Sequence, residues 1–236
     1  MQLAQLLCRD SSATPGQLTR FLSAAPNKYK VYAIPKRTSG KRIIAHPAKQ
    51  LKEYQCLVVK YLDSLFQIHP SAYAYRKGLG IKANAECHKK SRYLLKMDFQ
   101  EFFHSISDEF FFKMCSVMDI DFEENDKHVL RQLLFWRPSK KAGGKLVLSI
   151  GAPSSPFISN CLMYPFDSAL HTKCKKQGIT YTRYADDLTF STNVRDVLFD
   201  IPDQVRELLV TELMGYISVN ERKTIFTSKA HNRHVT

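Results

Sequence analysis

Two adjacent carboxylates, Asp186 and Asp187, lie at the centre of the stretch TRYADDLTFS, between two runs rich in Thr, Tyr, Leu and Phe. Strand-forming residues on both sides of a short polar tip predict a β-hairpin with the two acids at or beside its turn. Like charges this close repel one another, and apolar neighbours strengthen the repulsion by lowering the local dielectric. The pair therefore needs either open water or a cation.

A third acid, Asp98, ends the apolar run RYLLKMDF, which is typical of a strand buried on both faces. If the two strands are neighbours in one sheet, three carboxylates meet at one edge. Hard oxygen ligands of this kind favour Mg²⁺, with Mn²⁺ as an alternative ion, and two such ions can clamp the attacking and leaving oxygens of a phosphoryl transfer. Taken alone, the same acids are also explained as ordinary surface residues of a turn and a strand end.

The composition describes a folded, strongly basic protein. Of 236 residues 44% are hydrophobic, enough for one large domain or two packed subdomains. Lys and Arg number 35 against 22 Asp and Glu, and the resulting net charge of +13 indicates a polyphosphate partner. The six cysteines have no short paired spacing, so neither a zinc ribbon nor a disulfide framework is expected. No apolar run is long enough for a membrane span and no signal peptide is recognisable, which predicts a cytoplasmic protein.

Helices and strands intermingle without a steady βαβ alternation, so the predicted fold class is α+β. The expected elements are short helices within 1–25, a cationic hairpin over 29–47, a helix over 48–66, a buried strand over 92–99, helices within 107–135 interrupted by an acidic stretch, one long helix from near Ser155, a hairpin around the acidic pair, a helix over 202–214 and a last strand over 216–219.

Four motifs occur in a specific order: Asp98 within KMDFQEFF, then GAPSSP, then YADD, then NERKT. YADD alone is weak evidence, whereas the ordered set resembles the palm motifs of reverse transcriptases, and the resemblance runs from about Tyr32 to the last residue. Two further features resemble the retron branch of that family. The stretch NAECH resembles its NAxxH signature, and the chain ends in Val-Thr where a retron enzyme reads Val-Thr-Gly.

The resemblance implies a right-handed polymerase core with fingers and palm subdomains and an antiparallel palm sheet flanked by helices. Residues 1–90 would form an N-terminal cap and the fingers, and residues 91–236 the palm, with 105–150 packing back toward the fingers. A thumb would follow Thr236 and is absent from this chain.

The same resemblance implies the catalytic residues. Asp98, Asp186 and Asp187 would hold two Mg²⁺ ions together with the backbone carbonyl of Phe99. Lys223, in NERKT, would protonate the leaving pyrophosphate. It could equally neutralise the acid cluster.

Nucleotide contacts are also implied by the resemblance. Lys36 and Arg42 in the cationic hairpin match residues that grip the triphosphate. A solvated charged hairpin is the alternative, and it is the expected explanation for Lys30, Arg37 and Lys41. Phe103 matches the bulky residue that excludes a 2′-hydroxyl, although an aromatic-rich stretch usually packs in a core.

The turn formed by Gly151, Ala152 and Pro153 has little side-chain bulk, which would let the backbone approach a nucleotide. Many relatives carry Gln before this glycine, whereas this chain has Ile150. Asn84 and His88 would share a helix face and present an amide and an imidazole to RNA, or form a buried network.

The implied activity is RNA-directed DNA synthesis. A structured noncoding RNA would serve as template and primer, deoxynucleoside triphosphates as substrates and single-stranded DNA as product, with an effector protein as a further partner in bacterial antiphage defence. Two alternatives remain open: another bacterial reverse transcriptase, intron-encoded or defence-associated, and a module that binds RNA or an effector without making DNA.

Overall fold

We describe the protein from a computed structural model, which covers residues 2–35 and 40–229. The chain divides into two compact units, one formed by Met1–Gln67 with Phe103–Ile158 and the other by Ile68–Phe102 with Ser159–Thr236. Each unit is described by itself below. No helix among the described residues is long and apolar enough to cross a membrane.

Ten α-helices and six strands are found in the described ranges. The helices are α1 (Leu3–Ser11), α2 (Pro15–Ala24), α3 (Lys49–Leu62), α4 (Ile81–His88), α5 (Phe102–Ser105), α6 (Asp108–Val117), α7 (Glu124–Leu134), α8 (Ser154–Leu162), α9 (Tyr164–Lys176) and α10 (Ile201–Thr211). The strands are β1 (Tyr29–Pro35), β2 (Lys41–Pro47), β3 (Tyr93–Asp98), β4 (Thr180–Tyr184), β5 (Asp187–Thr192) and β6 (Ile225–Ser228).

The first unit packs helices beside an antiparallel hairpin. Helix α2 begins with a capping box in which Thr14 and Gln17 bond reciprocally, and Pro15 takes its first turn. Strands β1 and β2 pair as the sequence predicts. Tyr29 on β1 packs against a buried cluster that contains Ala45 and Trp136, so one end of the hairpin belongs to the core of this unit while the rest of β1 is exposed.

The second unit is built on a four-stranded antiparallel sheet in the order β4-β5-β3-β6. The predicted hairpin β4–β5 and the predicted buried strand β3 are confirmed. Leu94, Leu95 and Met97 of β3 are at most 1% exposed, because this strand is central and covered on both faces. The α+β fold class is therefore confirmed.

Two predicted elements differ from the structure. The last strand is Ile225–Ser228, and in the predicted stretch 216–219 only Val219 makes an isolated bridge, to Phe99. The long helix expected from Ser155 is two helices, α8 and α9. Pro165 explains the break, because a proline has no N–H for an i−4 hydrogen bond and is tolerated only in the first turn of a helix.

The division into compact units does not follow the fingers and palm boundary near residue 90, which remains a prediction. Residues 68–90 fall with the four-stranded sheet, because Ala72 forms a bridge with Arg183 and the side chain of His88 on α4 bonds to β4 and β5. Residues 105–150 fall in the unit that contains the N-terminal region.

Candidate functional site

The two adjacent acids lie at the tip of the β4–β5 hairpin. Tyr184 and Asp187 form its last pair, which leaves Ala185 and Asp186 as a two-residue turn. Ala185 has φ +58 and Asp186 has no positive φ, which is the pattern of a type II′ turn. Glycine is the usual residue at the first of these positions, and an L-residue there costs about 1 kcal/mol in backbone strain. Successive residues of a strand point to opposite faces of the sheet. Because Asp186 lies in the turn, this alternation does not apply to the two acids.

Asp98 ends β3 directly opposite Asp187 of β5. The N–H of the next residue, Phe99, donates to the carbonyl of Asp186 at 3.0 Å, which ties the end of β3 to the turn. The three acids thus lie at one edge of one sheet, as the order of the motifs predicts. Asp98 is only 5% exposed, whereas Asp186 and Asp187 are half-buried.

A lysine from the NERKT motif reaches the same edge. Asn220 donates its N–H to the carbonyl of Asp98 at 2.7 Å, and the ammonium Nζ of Lys223 lies 2.7 Å from Oδ2 of Asp98. Burial lowers the pKa of Lys223, but the bond to Asp98 and the charges of Asp98, Asp186 and Asp187 outweigh it, and the pKa is raised. One ammonium therefore experiences the field of all three carboxylates.

The donor set at this edge suits a hard divalent cation, since it offers three carboxylates and, beside Asp98, the backbone carbonyl of Phe99. In the side-chain positions observed across residues 2–35 and 40–229, no three His, Cys, Asp or Glu side chains converge as metal ligands. The cation that Asp98 contacts is the ammonium of Lys223. The metal-binding role of the three acids remains a prediction.

The GAPSSP loop lies against strand β2. The N–H of Ala45 donates to the carbonyl of Ile150 at 2.9 Å. Gly151 has φ +119, and a Cβ there would lie 3.2 Å from Cγ2 of Ile44 and 3.3 Å from the carbonyl oxygen of Ala45. Glycine is thus required at position 151 because its backbone has a positive φ and because β2 lies too close to leave room for a Cβ. Ala152 is 4% exposed, so its side chain faces the protein interior.

Three further candidates for nucleotide binding are Arg42, Lys36 and Pro153. Arg42 is exposed on β2, opposite Ile34. Lys36 lies outside the described residues. Pro153 is half-buried in the loop that precedes α8. Nucleotide contacts by Arg42, Lys36 and Pro153 remain predictions.

Two neighbouring phenylalanines on α5 have different environments. Phe102 is 3% exposed and its ring stacks on that of Phe99, with 5.4 Å between centroids. Phe103 is half-buried. Core packing therefore accounts for Phe102, and the sugar-pocket role of Phe103 remains a prediction.

Asn84 and His88 are interior residues. Their exposures are 0% and 1%, and His88 bonds through Nδ1 to Oγ of Ser191 at 2.8 Å and through Nε2 to Oγ1 of Thr182 at 2.7 Å. Burial lowers the pKa of His88 to about 4, so the imidazole is neutral near pH 7. The alternative of a buried network is the arrangement observed for His88, and direct RNA contact by these residues has no support from their positions.

The sequence interpretation missed a buried ion pair beneath the turn. Arg183 of β4 and Asp167 of α9 are both 0% exposed, and they are joined by a bond of 2.7 Å between Nη2 and Oδ2. The available signal was an arginine within a predicted strand, directly before the YADD motif. A cation in such a position requires a buried partner.

Comparisons with known proteins agree with this geometry. The family described as reverse transcriptase (RNA-dependent DNA polymerase) matches residues 34–235. The retron Ec83 reverse transcriptase of Escherichia coli is 47% identical over 208 residues, which are 88% of this chain and 67% of that protein. The retron Ec73 reverse transcriptase of Escherichia coli is 32% identical over 83% of this chain and 63% of that protein. The retron Mx65 reverse transcriptase of Myxococcus xanthus is 31% identical over 69% of this chain and 40% of that protein.

Solved structures support the fold. Telomerase from Candida albicans in complex with a fragment of telomeric RNA has a TM-score of 0.51 at 14% identity and matches 92% of this chain and 46% of that one. Apo telomerase from Candida tropicalis has a TM-score of 0.52 at 14% identity and matches 85% of this chain and 44% of that one. The family match and the identity to the Ec83 protein show that this chain belongs to the reverse transcriptase family and is a retron-type member of it.

Proposed function

We propose that this chain is the fingers and palm portion of an RNA-directed DNA polymerase that copies a structured noncoding RNA into single-stranded DNA. The observation that carries the proposal is the pairing of Asp98 with Asp187 beside Asp186, with Lys223 bonded to Asp98. Three acids on two strand ends and one basic side chain supply the groups that phosphoryl transfer needs. Membership in the reverse transcriptase family supports the same reaction.

In this proposal Asp98, Asp186 and Asp187 hold Mg²⁺, or Mn²⁺, together with the Phe99 carbonyl. Two such ions, when bound, activate a primer hydroxyl and neutralise charge on the transferred phosphate. The backbone bonds of Phe99 and Asn220 hold the acids in register before any substrate arrives. Lys223 supplies a proton or a positive charge for the departing pyrophosphate.

Nucleotide binding is proposed for residues outside the acid cluster. Exposed Arg42, with Lys36, would bind phosphate oxygens, and the guanidinium can do so in bidentate fashion. The ring of Phe103 would exclude a 2′-hydroxyl. Gly151 would keep the loop before α8 free of bulk.

The partners proposed for the whole protein are a structured RNA that is both template and primer, deoxynucleoside triphosphates, the DNA product and an effector protein. The net charge of +13 supports a nucleic-acid partner. An antiphage role in the bacterial cytoplasm is proposed from the retron relatives. A neighbouring gene for an inverted-repeat RNA would distinguish this proposal from an intron-encoded or other defence-associated reverse transcriptase.

The test is DNA synthesis from the RNA encoded beside the gene, with deoxynucleotides and Mg²⁺. The wild type is compared with an Asp186→Asn/Asp187→Asn variant and with a control, Asp203→Asn/Glu207→Gln, which removes two exposed carboxylates of α10. We expect DNA from the wild type and the control and none from the first variant. DNA from all three would reject the acid site. RNA binding without DNA from any of them would favour the non-catalytic binding module.

A further inference from the structure

The guanidinium of Arg183 is buried and bonds to four acceptor atoms. Its Nε lies 3.0 Å from Oδ1 of Asp167 and its Nη2 lies 2.7 Å from Oδ2, which is a bidentate pair. Its Nη1 donates to Oδ1 of Asn160 at 3.1 Å and to the carbonyl of Ala185 at 3.0 Å. The last of these acceptors is the strained residue of the turn.

Further hydrogen bonds fix the positions of these acceptor groups. Tyr181 donates its hydroxyl to Oδ1 of Asp167 at 2.7 Å, and Asn160 donates from Nδ2 to the carbonyl of Ala74 at 3.0 Å. The backbone of Arg183 is fixed as well, since its N–H donates to the carbonyl of Ser71 at 2.7 Å. The guanidinium is therefore a rigid donor whose position is set by helices α8 and α9.

Stability alone does not explain this ion pair. Taking two charges out of water costs several kcal/mol per ion, and well-packed apolar replacements of buried ion pairs are often as stable or more so. What an apolar pair cannot supply is a directed donor for the Ala185 carbonyl. A lysine cannot supply it either, because one ammonium cannot form the fork on Asp167 and also reach the turn.

We propose that Arg183, locked by Asp167, is a positioning residue that holds the Ala185 carbonyl and thereby fixes the strained turn that carries Asp186 and Asp187. The inference rests on the proposed function for its catalytic consequence. Its structural part, restraint of the turn, stands independently. Misplacement of reacting groups by about 1 Å costs about 10²-fold in rate, so loss of this restraint is expected to lower kcat.

The test replaces both charges at once, with Arg183→Met/Asp167→Leu, so that no buried charge is left unpaired. The matched control is Tyr181→Phe, which removes one bond to the same carboxylate and none to the turn. Three properties are measured: thermal unfolding, hydrogen exchange of the peptide that spans 184–188, and the kcat and KM for deoxynucleotide incorporation.

We expect the double variant to fold, to exchange faster at the turn, and to lose about 100-fold in kcat with KM changed less than about threefold. We expect Tyr181→Phe to match the wild type in exchange and kcat. Wild-type exchange and kcat in the double variant would overturn the proposal. Equal losses in the double variant and in Tyr181→Phe would overturn it as well, because they would indicate general loosening.

If the double variant fails to fold, the Arg183→Lys variant tests the proposal instead. It keeps a positive charge against Asp167 and loses the bond to the turn, so the same loss of kcat and the same faster exchange are expected. Wild-type values in this variant would overturn the proposal. A wild-type protein that makes no DNA would refute the proposed function, while hydrogen exchange at the turn would still decide whether Arg183 restrains it.

Discussion

The Nζ atom of Lys223 lies 2.7 Å from Oδ2 of Asp98, and the two side chains differ sharply in exposure, at 56% for the lysine and 7% for the aspartate. A largely buried acid is thus joined to a cation whose other side is open to solvent. From this position the ammonium can stabilise the carboxylate in the free protein and can also meet a phosphate that approaches the strand ends.

Substitutions of Lys223 distinguish a role as a positive charge from a role as a proton donor. We expect Lys223→Ala to lower kcat about 100-fold, as for the loss of a general acid. We expect Lys223→Arg to lower kcat at least about tenfold, because a guanidinium retains its proton far more strongly than an ammonium does. Single-turnover primer extension measures both. Full activity of Lys223→Arg would show that only the charge is needed.

The two phenylalanines of α5 give a paired prediction. We expect Phe103→Val to admit ribonucleotides more readily, because its half-buried ring would no longer exclude a 2′-hydroxyl, with little change in stability. We expect Phe102→Val to lower the free energy of unfolding by about 2 kcal/mol, because it removes a buried ring stacked on Phe99.

Competition between ribonucleotides and deoxynucleotides in primer extension, together with urea unfolding, measures both effects. Unchanged sugar selectivity in Phe103→Val, combined with a loss of stability as large as that of Phe102→Val, would assign Phe103 to the core instead.

The loop before α8 is predicted to be intolerant of any side chain at Gly151. An alanine there would adopt φ +119 and press its Cβ on Ile44 and on the backbone of Ala45. We expect Gly151→Ala to lower the free energy of unfolding by about 2 kcal/mol. The control is Gly16→Ala in α2, where a Cβ meets nothing within 4 Å and should stabilise the helix by about 0.5 kcal/mol. Equal effects of the two substitutions in urea unfolding would contradict this account.

The site was predictable where chemistry and local pattern coincide. Strand-forming residues on both sides of Asp186 and Asp187 predict a hairpin, and the apolar run before Asp98 predicts a central strand. Both are observed. That the two strands are neighbours could not be derived from periodicity, because strand order depends on long-range packing, and the resemblance to a known family supplied it.

The parts that escaped prediction are set by tertiary contacts. For Asn84 and His88 the sequence left RNA contact and a buried network open, because nothing local reveals that the sheet buries them. The pairing of Arg183 with Asp167 joins residues 16 positions apart on different elements, so neither side chain indicates its partner. The stretch 216–219 has strand-forming residues but makes one isolated bridge, from Val219 to Phe99, and the strand that pairs with β3 on this side is β6.

The buried imidazole of His88 makes stability depend on pH in a defined window. The folded pKa is about 4 and the ordinary value is 6.5, so between these values the unfolded chain binds a proton that the folded chain does not. Stability therefore rises with pH across this window, is fully present above about 6.5 and is lost as the pH falls toward 4. For His88 alone we expect a loss of about 2 kcal/mol between pH 7 and pH 5.

Urea unfolding at pH 7 and pH 5 measures this loss when the wild type is compared with His88→Gln. A glutamine does not titrate, so the variant should be less stable at pH 7 but should lose about 2 kcal/mol less than the wild type on acidification. The control is His46→Gln, which removes an exposed histidine of β2 and should keep the wild-type response. If His88→Gln loses as much stability as the wild type between the two pH values, the imidazole is not held neutral by burial, and its bonds to Thr182 and Ser191 do not exclude the proton.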